Sequence, residues 1–121
     1  MGSQHISDKL QRKLDKEGIK VKHNNVRFTV THKNRKGEVL GREWYKGYIA
    51  ATEKRLLLSA DGVKFVNIKG SDERFSAVKF VEDNIACLEV KVLKEALSER
   101  GVVFHIYTDK VDKFLKRIAQ L

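Results

Sequence analysis

The run Val102-Val103-Phe104-His105-Ile106-Tyr107-Thr108-Asp109-Lys110-Val111-Asp112-Lys113-Phe114-Leu115-Lys116-Arg117-Ile118-Ala119-Gln120-Leu121 changes its hydrophobic period partway along. Up to Thr108 the pattern has period two, with Phe104 and Ile106 on one face and His105 on the other, as in a half-buried strand. Beyond it, Val111, Phe114, Leu115, Ile118 and Leu121 fall at i, i+3, i+4, i+7 and i+10, while Lys110, Lys113, Lys116 and Arg117 take the opposite side. That spacing predicts an amphipathic helix. Thr108 or Asp109 is placed to cap it, and the cations in its later turns oppose the helix dipole favourably. A strand leading into a helix with one apolar stripe calls for a curved sheet whose open end the helix can cover.

Working upstream, Ile85 to Leu93 repeats the strand pattern, with Leu88, Val90 and Val92 on one face and Glu89 and Lys91 on the other. Lys94 to Gly101 joins these two strands as a loop with room for one helical turn. Glu82-Asp83-Asn84 turns a preceding strand, Phe75 to Val81, into this pair, and Gly70-Ser71-Asp72 leads into Phe75. Ala60-Asp61-Gly62 is the strongest hairpin signal and connects Leu56-Leu57-Leu58 to Val63 through Ile68. Val39 to Ala51 predicts an extended segment in which Gly41 and Gly47 mark a bulge or bend rather than an unbroken strand. Asn34-Arg35-Lys36-Gly37 supplies the turn before it, after a strand in which Val26, Phe28 and Val30 alternate with Arg27, Thr29 and Thr31. Nearer the start, Ile6, Leu10 and Leu14 recur every four positions between a Ser7 or Asp8 cap and a Gly18 terminator. The spacing predicts a short helix whose narrow stripe leaves it on the surface or fraying. The reading is mainly β (α+β), with seven strands: residues 1–18 are a tail and short helix, and residues 19–121 one domain.

A chain of 121 residues with 41% hydrophobic content suits one core. A single cysteine, Cys87, excludes an intramolecular disulfide, and the spacing of the four histidines gives no local metal-ligand motif. No cofactor is expected. The lone cysteine makes a cytoplasmic setting the expectation, with the membrane surface as an alternative, and no apolar run approaches the roughly 18–20 residues of a membrane span. The 25 Lys/Arg exceed the 16 Asp/Glu, and the excess is concentrated: residues 1–60 carry 14 against 6, residues 61–121 carry 11 against 10. Such a balance favours an acidic protein, an anionic membrane or nucleic acid as partner.

The order of elements resembles the pleckstrin-homology-like (PH-like) superfold. The segment Gly47-Tyr48-Ile49-Ala50-Ala51-Thr52-Glu53-Lys54-Arg55-Leu56-Leu57-Leu58 resembles the GRAM and bacterial PH-like signature, in which a strand ends in a small residue and threonine, a charged turn follows, and an arginine-leucine pair starts the next strand. The archaeal CheF-type taxis adaptor family is similar, with a comparable run to Trp44-Tyr45-Lys46-Gly47-Tyr48-Ile49-Ala50-Ala51-Thr52-Glu53-Lys54-Arg55-Leu56. The resemblance spans roughly residues 19–121. It implies a PH-like seven-stranded antiparallel barrel or sandwich capped by the C-terminal helix, and a partner-binding domain or a fragment of a longer adaptor. It also implies phosphate contacts from the loop between the first two strands, here Lys33, Arg35 and Lys36. Against a lipid headgroup, the Ala60-Asp61-Gly62 turn that should border such a pocket offers an acid.

No phosphate-binding glycine loop, G-x-S-x-G elbow or H-E-x-x-H is present, so no catalytic residue and no metal ligand is assigned. Cys87 reads as an inert structural thiol, His105 as a cross-strand surface residue, and His32 as a neighbour of the basic turn. The candidate partner-binding patch is Lys33, Arg35, Lys36, Arg42, Lys46, Lys54 and Arg55. The function expected is a non-enzymatic, adaptor-type protein-interaction module for an acidic or amphipathic protein, in which the patch steers the partner and a sheet edge or helix groove adds apolar contact. Anionic phospholipid or phosphoinositide binding and nucleic-acid binding are the alternatives. A second copy of the chain is a further candidate partner.

Overall fold

The computed structural model describes residues 8–69, 75–94 and 100–121. The elements are α1 (Asp8–Glu17), β1 (Ile19–Lys33), β2 (Val39–Thr52), β3 (Arg55–Ala60), β4 (Val63–Lys69), β5 (Phe75–Glu82), β6 (Ile85–Leu93), β7 (Gly101–Tyr107) and α2 (Val111–Ile118). The strands pair antiparallel in the order β4-β3-β2-β1-β7-β6-β5. Of the expected seven-stranded antiparallel barrel or sandwich, the seven antiparallel strands are present but the closed barrel is corrected: the sheet is continuous and open, with β4 and β5 as its edges. Closure requires ladder bonds between those edges, and among the described residues none joins β4 to β5; α2 lies against β5, β6, β1 and β2. The Ser7 cap, the Gly70-Ser71-Asp72 turn and residues 95–99 of the β6–β7 loop lie outside the described residues.

β1 joins two parts of the sheet. It pairs with β2 from Ile19 to Lys33 but with β7 only from Arg27 onward. Its first half escaped the strand reading because Ile19 and Val21 alternate with Lys20 and Lys22 for only two apolar positions before His23, Asn24 and Asn25 interrupt the pattern. A register shift separates His23 from Val26, and Asn25 within it takes φ 55°, a left-handed conformation that asparagine tolerates.

β2 runs as one strand, and the expected bulges near Gly41 and Gly47 are present as shifts in its register with β1. The shift at His32/Lys33 falls beside Gly41, and the one at His23/Val26 beside Gly47. At Gly47 the reason for glycine is close approach: a Cβ there would stand 2.1 Å from the Ser59 carbonyl oxygen and 2.8 Å from the Ala60 Cβ.

The main core lies on one face of the sheet. Val26, Phe28 and Val30 meet Ile49, Leu56, Leu58, Leu88, Val90, Phe104 and Ile106, and α2 adds Val111 and Phe114. Leu115, Ile118 and Leu121 pack against the same cluster, so the apolar stripe of the C-terminal helix has the partner its spacing requires. Its first turn differs from expectation: Lys110 is the N-cap without a side-chain bond, while the Thr108 hydroxyl accepts from the Lys110 amide at 3.1 Å and closes the preceding turn. A second, smaller cluster occupies the opposite face, where Leu14 of α1 is fully buried against Tyr48, Ala50 and Leu57. α1 therefore docks rather than frays. Covered on both faces, Arg55–Ala60 is buried throughout, which is why Leu56-Leu57-Leu58 reads as a run without alternation.

The turns follow the sequence reading. Asp61 and Gly62 have φ 51° and 75°, and Asp83 and Asn84 have φ 51° and 66°, the left-handed pairs that tight hairpins need. Among the described residues no helix is long and apolar enough to cross a membrane.

Gly47→Ala is expected to destabilise the protein by about 1–3 kcal/mol through overpacking. Gly41→Ala, where nothing lies within 4 Å of the added Cβ, should be nearly neutral. Urea unfolding of the two variants checks this; equal midpoints would contradict the β2–β3 packing.

Candidate functional site

The seven predicted patch residues do not form one surface. Arg42 and Lys46 lie on β2 opposite Thr31 and Arg27 of β1, on the sheet face opposite the main core. Lys33, the last residue of β1, shares a groove of about 370 Å³ with Arg42. Arg35 and Lys36 occupy the adjoining turn, which Asn34 organises by accepting from the amides of Lys36 at 2.9 Å and Glu38 at 3.0 Å. Lys54 sits apart, in the turn between β2 and β3.

Arg55 is not part of the exposed patch. It is 2% exposed, because Glu17 at the end of α1 takes it up in a two-pronged ion pair: Arg55 Nε donates to Glu17 Oε1 at 2.8 Å and Nη2 to Oε2. Arg55 Nη1 donates to Asn67 Oδ1 on β4 at 3.0 Å. Thr52 completes the unit. Its hydroxyl donates to Glu17 Oε1 at 3.0 Å and accepts from the amides of Lys54 and Arg55, both at 3.1 Å. The Glu53 amide donates to the Gly18 carbonyl at 3.2 Å, so the helix end and the β2–β3 turn are held together. The threonine and arginine of the Thr52-Glu53-Lys54-Arg55 run thus have structural roles, as turn closure and buried anchor. Glu17 was missed because nothing local marks it as the partner of a residue 38 positions away.

Burial alone would raise the Glu17 carboxyl's pKa. The hydrogen bonds from Arg55 and Thr52, with the charges of Arg55 and Lys13, outweigh it and hold the group below its ordinary 4.5.

Farther along the same sheet face, His105 Nε2 lies 2.8 Å from Glu89 Oε2 on the neighbouring strand, and the imidazole contacts Phe80 with ring centres 4.9 Å apart. Cys87 is 1% exposed, and burial first, then Glu89 and Glu82, push its thiol upward, which keeps it protonated. His32 lies 3.6 Å from Glu43 Oε1. Among the described residues no three His, Cys, Asp or Glu side chains gather to hold a metal ion.

The candidate site is the outer half of β2. β3 pairs with β2 only from Tyr48 to Ala51, so among the described residues no strand lies on the edge from Val39 to Lys46. Val39 is 62%, Leu40 69% and Trp44 61% exposed. Trp44 stacks on Tyr107 with ring centres 5.6 Å apart, and where β3 diverges a hollow is lined by Arg27, Trp44, Tyr45 and Lys46. The arrangement offers unpaired backbone groups, two aromatic anchors and cations along one line.

Acidification tests the buried pair. Because Glu17 is depressed in the folded state, its stabilisation is present above about pH 4.5 and is lost as pH falls through the folded value. The melting temperature should therefore fall below that pH more steeply than in Glu17→Gln, the two proteins converging once Glu17 is protonated; parallel melting curves would contradict the pairing.

In comparisons with family models, curated proteins and solved structures, nothing matches this chain.

Proposed function

We propose that this chain is a PH-like, non-enzymatic protein-interaction module that takes an extended acidic segment of a partner along the open edge of β2. The observation that carries the reading is the unpaired Val39–Lys46 edge with Trp44 exposed beside Arg27, Arg42 and Lys46. A strand edge supplies main-chain hydrogen bonds to an incoming strand, and the side chains beside it choose the sequence. Trp, Tyr and Arg are the residue types that most often anchor such contacts, and Trp44, Tyr45 and Arg27 line one hollow here. Cations along the edge speed encounter with an acidic chain. Seven antiparallel strands followed by an amphipathic helix on the core face support the PH-like assignment. The buried, protonated Cys87 and the Glu89-bound His105 support a module without catalysis.

Selection of unstructured peptides by phage display should return sequences rich in Asp and Glu. Amide shift mapping should place them along Val39–Lys46, and Trp44→Ala should weaken binding by at least tenfold, the size of a moderate anchor. Peptides without acidic bias, or shifts confined to other strands, would overturn the proposal. Binding to phosphatidylserine vesicles through the same residues, without peptide binding, would favour the membrane reading instead.

A further inference from the structure

The strongest concentration of cations lies at the other end of β1. Lys20 and Lys22 of β1 face Lys110, Lys113, Lys116 and Arg117 across a crease between the strand and α2. Two neighbouring hollows of about 210 and 290 Å³ occupy the crease and share Lys20, Val21 and Lys113. The sequence shows these cations only as the polar side of a helix and an unremarked stretch before the first alternating strand. The fold brings the two together.

The acids nearby are partly engaged. Glu53 pairs with Lys20 at 3.0 Å, Asp112 with Lys79 at 3.6 Å, and Asp109 lies 3.8 Å from His23. The Glu53 carboxyl is held low by the Lys20 hydrogen bond first, then by the Lys20 charge, with Arg117 and Lys54 contributing. Arg117 Nε is buried without a hydrogen-bond partner among the described residues. Lys110 Nζ donates to the Lys22 carbonyl at 2.8 Å, which fixes one wall of the crease to the other.

We propose that this crease binds a nucleic-acid strand through its phosphate backbone, without reading the bases. Two hollows in line fit successive phosphates of a linear polymer. Lys110, Lys113 and Lys116 follow one another at about 4.5 Å of helix rise, against about 3.4 Å of axis per phosphate on a strand. Lys22, Lys113 and Lys116, exposed along the crease, act as point charges on long stems, suited to phosphate but not to base edges. No aromatic side chain lines either hollow, so bases have no stacking platform. A bilayer is the weaker fit: the exposed large hydrophobics, such as Leu40, Trp44 and Val81, lie away from the crease, which leaves no wedge for insertion. The site is distinct from the β2 edge, since Lys22 pairs with Ala50 whereas the open edge ends at Lys46, which pairs with Arg27.

The test is fluorescence anisotropy with labelled random-sequence DNA, duplex and single-stranded, over a series of salt concentrations. The wild-type protein should bind both, with log affinity falling linearly with log salt. Lys113→Gln with Lys116→Gln, both exposed on α2, should reduce the duplex slope by about 2, at roughly 0.9 per lost phosphate contact. The control Lys64→Gln with Lys69→Gln, on β4, carries the same charge change and should leave the slope unaltered. Absence of binding at the lowest salt, or an equal slope change in the control, would overturn the proposal. Preferential binding to phosphatidylserine vesicles over DNA would overturn it in favour of a membrane. Retained peptide binding at the β2 edge in the α2 variant separates this site from the other.

Discussion

The buried pair between Arg55 and Glu17 is the constraint on which the rest of this architecture depends. A guanidinium that is 2% exposed is costly to bury unless its charge and its donors are met, and Glu17 and Asn67 meet them from an element on either side. α1 is thereby tied to β3 and β4, and Thr52 and Gly18 fix the turn between β2 and β3. With the turn fixed, β3 leaves β2 after four paired residues, at the point where Gly47 gives way to the Ser59 backbone. The open edge of β2 is a consequence of that geometry.

Much of the fold was legible in the sequence because it rests on local signals. The Asp61-Gly62 and Asp83-Asn84 turns, the alternation in β6 and β7, and the stripe of α2 each act within a few residues. What was not legible depends on contacts between distant segments. β1 begins at Ile19 although His23, Asn24 and Asn25 break its alternation, because β2 supplies the ladder. The burial of Leu14 depends on a surface made by Tyr48, Ala50 and Leu57. An open sheet in place of a barrel depends on whether the edges β4 and β5 pair, which no local pattern in either strand specifies.

The charge pattern shows the same division. Counting charge along the chain drew attention to the basic turn and to Arg55, yet the side-chain environment of Arg55 is internal. The count also understated α2, whose cations are balanced by acids elsewhere in residues 61–121 but stand beside Lys20 and Lys22 in space. Two chemically different surfaces result. One combines an open strand edge, aromatics and cations, suited to an extended peptide; the other is a crease of lysines suited to phosphate.

A double-mutant cycle on Glu17 and Arg55, read by urea unfolding, tests the central structural claim most directly. Glu17→Gln and Arg55→Met should each destabilise the protein, the former by about 3–5 kcal/mol because it leaves a buried guanidinium without its counter-charge. The double variant should be no less stable than the weaker single variant, giving a coupling of about 1–3 kcal/mol. Additive losses with no coupling would mean that the pair does not hold α1 to the β2–β3 turn, and would contradict the account.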